Sequence, residues 1–353
     1  MQSFIAKGGV MNKIIGLQYL RAIAVLGVVA FHAAGRVGID LVIGEAGVDI
    51  FFVLSGFLMV AITNEKTLPA KFILDRFRRI APSYWAATVA MVLGALIGMF
   101  PRAKIEAGHI LASFLFIPAV SPSLGKIYPI LVQGWTLNYE IFFYLLFSLV
   151  LFIRLERIRV FVLAAMLTSL VLAGLVSQNH GTLVTFYTNP ILLEFLAGAL
   201  LGSVWKTRES FPAWMGFPFC FLAGFLFILV EFLNVEATRI LIFGVPSLLL
   251  VAGTLVIEKK YGVRRYFIPL LIGDASYSIY LWHTFALSIA LKIGQMLRLE
   301  SVSIVIFATA AGVFAGILAY WWVEKPLHRF VSKRRFTKEI PNFESPEKQG
   351  QMS

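Results

Sequence analysis

The stretch Ile15–Ala34, IGLQYLRAIAVLGVVAFHAA, decides the fold. It is an almost unbroken apolar run of about 20 residues, the length at which an α-helix crosses the hydrocarbon of a bilayer. Arg21 and His32 interrupt it. Eleven residues at about 100° each return to nearly the same face, roughly 16 Å further along the axis. Ionisable groups on one stripe of a spanning helix cost free energy, and are tolerated where they face a bundle interior or a wet cavity. Two readings follow. Either the pair is structural, bonded to neighbouring helices, or it marks a site that begins at one leaflet and climbs towards the other.

The rest of the chain supports the membrane reading. Of 353 residues, 59% are apolar and 14% charged, whereas a soluble chain carries about a quarter charged residues. The expected fold is all-α, a polytopic integral membrane protein. Spanning-length runs occur near 15–34, 46–64, 81–99, 135–153, 158–177, 182–203, 213–232, 239–257, 276–297 and 302–323, which predicts ten helices. Pro190 and Glu194 interrupt the sixth and Lys292 the ninth. The apolar segment 108–120 is too short to cross and is expected to be re-entrant or interfacial. Residues 1–14 form a tail without a small-residue cleavage pattern, so the first helix is expected to be retained. Residues 15–324 make the membrane domain, and 325–353 a basic tail whose polar part, from Lys333, is expected to be disordered.

Charge gives the orientation. With the N-terminus inside, the inner pieces hold 23 Lys and Arg and the outer pieces 7, with Arg21 within a helix. This places both termini in the cytoplasm. The formal charge of +12 is therefore topological, with some attraction to anionic membrane lipids, and does not indicate nucleic acid. Cys220 is the only cysteine, so no intramolecular disulfide or cysteine-pair metal site forms. No internal repeat of the kind found in inverted-repeat transporters is visible.

The polar residues fall into place on that topology. His32 lies near the outer end of helix 1, and Asp49, opening helix 2 in Gly47–Phe57, starts at a similar depth. Asp49 is positioned to orient the imidazole, or else is simply a helix-start acid favoured by the dipole. Gly47 and Gly56 permit close helix approach. Arg76-Phe77-Arg78-Arg79 precedes Pro82 and is read as standing at a cytoplasmic helix start. It is either a positive-inside cluster or a clamp for a phosphorylated cytosolic ligand. Glu140, in Trp135–Glu140, lies deep enough to need a partner such as Arg21 or His32. Tyr280 and His283 belong to Ser276–His283, with His283 about two turns from the cytoplasmic edge; a satisfied core histidine is the plainer reading. Glu324 closes the last helix as a terminal acid, and His109, His180 and His328 are assigned no role. No Walker-type loop is present, and no metal-ligand spacing suggests a metal.

In this order, Arg21 with His32, Gly47–Phe57, Arg76-x-x-Arg79, Trp135–Glu140, Ser276–His283 and Glu324 resemble the acyltransferase-3 family of membrane acyltransferases. The closest likeness is to its single-domain, exopolysaccharide-modifying members. O-antigen-type members often continue into a periplasmic SGNH-hydrolase domain, so this chain is expected to work alone, with polysaccharide-assembly partners, or as a homo-oligomer. Asn138-Tyr139-Glu140 departs from the Ser-Val-Glu-Glu of many relatives, because Ile141 stands where the second acid would be. The resemblance implies transfer of an acyl group, usually acetyl, from acyl-CoA to a hydroxyl of an exported carbohydrate or lipid-linked glycan. Arg76 and Arg79, with Tyr280 and His283, would then hold the donor. His32, assisted by Arg21, Asp49 and Glu140, would serve as general base or carry an acyl-imidazole. A polysaccharide or lipid-carrier transporter is the alternative.

Overall fold

The apolar run at the start of the chain folds as one uninterrupted helix, α1 (Ile15–Gly35), around which the rest is arranged. The computed structural model describes residues 5–6, 9–10, 14–100, 103–178, 181–207, 212–233 and 238–333. After a short antiparallel pairing of Ile5–Ala6 with Gly9–Val10, and apart from an isolated bridge between Val120 and Ile127, the regular elements among the described residues are helices. They form α2 (Ala46–Ile62), α3 (Pro69–Leu96), α4 (Ala107–Phe114), α5 (Trp135–Val150), α6 (Glu156–Val176) and α7 (Thr182–Tyr187). There follow α8 (Leu192–Lys206), α9 (Gly216–Leu233), α10 (Val245–Tyr261), α11 (Phe267–Met296), α12 (Ser301–Ala319) and α13 (Lys325–Lys333).

Among the described residues, seven helical segments are long and apolar enough to cross a membrane: 15–35, 42–62, 156–176, 182–206, 213–232, 240–261 and 301–331. The expected ten spans reduce to seven on length and composition. The other three runs are helical, as α3, α5 and α11, but carry the polar side chains described below. Two of their starts differ from expectation. Pro69 opens α3 at its first turn, a position suited to a residue without an N–H, so 69–80 is amphipathic helix rather than loop. Phe267 opens α11, because Gly273 and Asp274 interrupt the apolar run without breaking the helix. The sixth run divides into α7 and α8 around Pro190, and the short segment is confined to α4. The basic tail begins as α13; residues 334–353, with most of the expected disordered segment, and His180 lie outside the described residues.

Helix α1 packs against α2, α10, α11 and α12. Tight crossings set these contacts. A Cβ on Gly56 would lie 2.0 Å from the Phe195 carbonyl oxygen, and one on Gly198 2.0 Å from that of Val53. Only glycines allow α2 and α8 to approach so closely. Glu258 of α10 accepts the N–H groups of Ile15 and Gly16 at 2.6 and 2.7 Å, satisfying orphan donors at the start of α1. Helices α9 and α12 leave most of their length exposed, as lipid-facing helices do.

Candidate active site

Two cavities meet inside the bundle, and α1 lines both, with Arg21 in one and Val28, Phe31 and His32 in the other. The first is lined by Arg21, Ser55, Arg79, Glu140, Tyr144 and Ser276 among apolar residues. Gly273 makes its geometry possible, since a Cβ there would lie 2.2 Å from the Gln18 carbonyl oxygen. That approach brings α11 onto α1, and Arg21 donates from Nε and Nη2 to Ser276 Oγ at 3.1 and 2.8 Å. Nε also reaches the Gly273 carbonyl at 3.3 Å, and the guanidinium lies 6.0 Å from the Phe51 ring centroid. Across the cavity, Glu140 accepts from the hydroxyls of Tyr144 and Ser55. Two guanidinium groups against the one carboxylate of Glu140 give this cavity a net positive lining, suited to an anionic ligand.

The second cavity is lined by His32, Glu45, Gln133, Trp135, Asn189 and Arg239, among others, and is the roomier, about 520 Å³ against about 90 Å³. The larger volume lies within the usual range of ligand pockets, about 300–1,000 Å³. His32 Nδ1 is 2.8 Å from the Val28 carbonyl one turn earlier. A carbonyl only accepts, so in the neutral ring Nδ1 carries the proton and Nε2 keeps its lone pair. That is the tautomer a general base needs. The ring also meets Phe31 edge-on and His283, each at 5.1 Å between centroids.

Val48 and Tyr280 line both cavities and form the wall between them. The Tyr280 hydroxyl donates to the Gln133 carbonyl at 3.0 Å and lies 3.0 Å from Thr136 Oγ1. Gln133 Nε2 in turn donates to the Leu281 carbonyl at 2.7 Å and Thr284 Oγ1 at 3.0 Å. The start of α5 and the middle of α11 are thereby locked together at the wall.

The expected site residues are divided rather than gathered. Arg21, Arg79, Glu140 and Tyr280 meet in one cavity, while His32 occupies the other with Tyr280 shared. Asp49 does not orient His32: fully buried, it receives Arg239 Nε and Nη2 at 3.0 and 2.7 Å. The early acid is taken by a cation 190 residues downstream. Glu140 is held by two hydroxyls, and no ion pair joins it to Arg21 or His32. Arg76 and Arg79 stand seven and ten residues inside α3, about 10 and 15 Å from its first turn, so no helix N-terminus assists them. Arg79 reaches the cavity, whereas Arg76 is buried and does not line it. His283 lies sixteen residues into α11, about 24 Å from its start, not two turns. It is fully buried beside His32, with Nδ1 on the Ile279 and Tyr280 carbonyls. Glu324 accepts from Ser278 at 2.5 Å rather than standing free as a terminal acid.

Tyr144, Glu45 and Arg239 were missed as site residues. Tyr144 was detectable as the residue one helical turn after Glu140; Glu45 and Arg239 gave no local signal. Among the described residues no group of His, Cys, Asp and Glu is arranged to hold a metal ion.

Comparison with known proteins places this arrangement. The acyltransferase 3 family, described as "Acyltransferase domain", matches residues 14–321. The chain belongs to that family. It is 44% identical over 310 residues to the exopolysaccharide production protein ExoZ of Rhizobium meliloti, covering 87% of this chain and 96% of that protein. It is 26% identical over 354 residues to the peptidoglycan O-acetyltransferase OatA of Listeria monocytogenes, covering 88% of this chain but 55% of that protein. The O-acetyltransferase OatA of Staphylococcus aureus is 26% identical over 302 residues, covering 76% of this chain and 49% of its own length. The chain thus spans about half of these longer relatives. No solved structure matches it. It is an acyltransferase-family, multi-pass membrane protein.

Proposed function

We propose that the chain is an O-acyltransferase that moves an acyl group, acetyl in the first instance, from acyl-CoA to a hydroxyl of an exported carbohydrate or lipid-linked glycan. The supporting observation is the pair of cavities back to back, one lined by Arg21 and Arg79 and the other by His32, divided by Val48 and Tyr280. The Arg21 cavity opens towards the cytoplasm and takes the donor. Its guanidinium groups suit the CoA phosphates, and its narrow volume suits the pantetheine arm. The other cavity takes the acceptor. Both termini are cytoplasmic, and the protein sits in the inner membrane.

The acceptor O–H gives its proton to His32 Nε2, and the oxygen attacks the thioester carbonyl carbon. The tetrahedral intermediate collapses with cleavage of the carbon–sulfur bond. The proton held by His32 passes to the leaving thiolate, giving ester and free CoA. Arg21 stabilises the oxyanion or holds the donor. The thioester reaches His32 by passing the wall formed by Tyr280.

Membranes containing the chain, incubated with radiolabelled acetyl-CoA, should transfer label to polysaccharide. Label released only as free acetate, in the presence of acceptor, contradicts the reading.

A further inference from the structure

Arg239 forms a fork between two acids that are not equivalent. Asp49 takes Nε and Nη2 and is fully buried, so its carboxylate depends on this pairing. Glu45 accepts from Nη1 at 3.0 Å through Oε2 alone and remains 36% exposed. Glu194 is also buried beside Asp49 and Arg239, so one cation faces three acids, and Glu45 is the acid of the three that opens to the cavity. Its carboxylate lines the same cavity as His32, and Arg239 restricts its orientation while leaving Oε1 available.

The surrounding polar groups have complementary vacancies. Gln133 spends its amide hydrogens on Leu281 and Thr284, which leaves its oxygen as an acceptor. Asn189 spends its oxygen on the Ile191 N–H at 2.9 Å, which leaves two donors. Trp135 adds an aromatic wall. Acceptors, donors and an apolar ring in one cavity match a sugar, whose hydroxyls alternate with C–H faces.

Resting on the acyl-transfer reading above, we propose that Glu45, held by Arg239, determines acceptor specificity: it binds a sugar hydroxyl next to the one that His32 deprotonates. The charge selects hydroxyl donors at that position and fixes which hydroxyl faces Nε2.

The test uses the purified full-length protein, acetyl-CoA, and oligosaccharides released from the producing cell's exopolysaccharide and de-esterified with mild alkali. Glu45→Gln should raise the acceptor KM at least about tenfold, the lower end expected for a lost charge-assisted hydrogen bond. The acetyl-CoA KM should stay within about twofold. Arg239→Lys retains a charge for Asp49 but cannot hold both acids in a fork, and should shift the same acceptor KM. An acceptor KM unchanged in Glu45→Gln, with the parent enzyme active, overturns this assignment and leaves acyl transfer standing. A fall in kcat with acceptor KM unchanged overturns it as well. A parent protein that acylates none of these sugars overturns both.

Discussion

The two cavities share a wall and a like balance of charge, two cations and one carboxylate each (Arg21, Arg79 and Glu140 against Lys126, Arg239 and Glu45), but differ in volume and in the groups set between those charges. The Arg21 cavity is narrow and bears two guanidinium groups, with hydroxyls from Ser55, Tyr144 and Ser276. The His32 cavity is several times larger, and its imidazole is accompanied by amides, aromatic rings and the Glu45–Arg239 pair. On the proposed reading the first takes the thin, polyanionic donor and the second the bulky, polyhydroxylated acceptor. Arg21 and His32 lie on one face of α1, roughly 16 Å apart along its axis, and open into different cavities.

The comparison breaks most decisively at His32. His32→Ala should lower acyl transfer about 10²–10⁴-fold, the usual contribution of a general base, while retention of CoA on the purified protein is unchanged. Loss of CoA binding in this variant would show that the two cavities are not functionally separate.

On the other side of the wall, Arg79→Gln should raise the apparent KM for acyl-CoA about 10–100-fold, as expected when a charge-assisted phosphate contact is lost. Arg21→Lys should also fail to restore normal turnover, because an ammonium cannot reproduce the two-pronged contact with Ser276. Arg76→Gln sharpens the point. Arg76 is buried outside the cavity, so its replacement should lower thermal stability in detergent more than it raises the KM for acyl-CoA.

The smallest effect is expected at the wall itself. Tyr280→Phe removes the bonds to Gln133 and Thr136, each worth about 0.5–1.5 kcal/mol. It should loosen the partition, seen as acyl-CoA hydrolysis without acceptor rising a few-fold over the parent. Hydrolysis that does not change would mean that those hydroxyl bonds are not what keeps the cavities apart.

Much of the bundle was legible because apolar length is a local property. Helix α1, the close approaches at Gly47 and Gly56, and the deep placement of Glu140 all follow from residue type and spacing. The starts of α3 and α11 were not legible by the same signal. In those helices the polar residues of the cavities dilute the apolar run, so α3, α5 and α11 fall below the composition of a spanning helix. The site suffers the converse problem. Arg239 meets Asp49 and Glu45 only once α10 packs beside α2, and no periodicity connects residues nearly two hundred positions apart. His283 was legible as a buried histidine but not as a neighbour of His32, which depends on how α11 crosses α1.

The central claim is that donor and acceptor occupy opposite cavities, and equilibrium binding of a non-hydrolysable acetyl-CoA analogue to the purified protein tests it most directly. The account predicts that Arg79→Gln weakens this binding about 10–100-fold, while His32→Ala and Glu45→Gln bind the analogue like the parent. Undiminished binding in Arg79→Gln, together with loss in His32→Ala, would place the donor in the His32 cavity and contradict it.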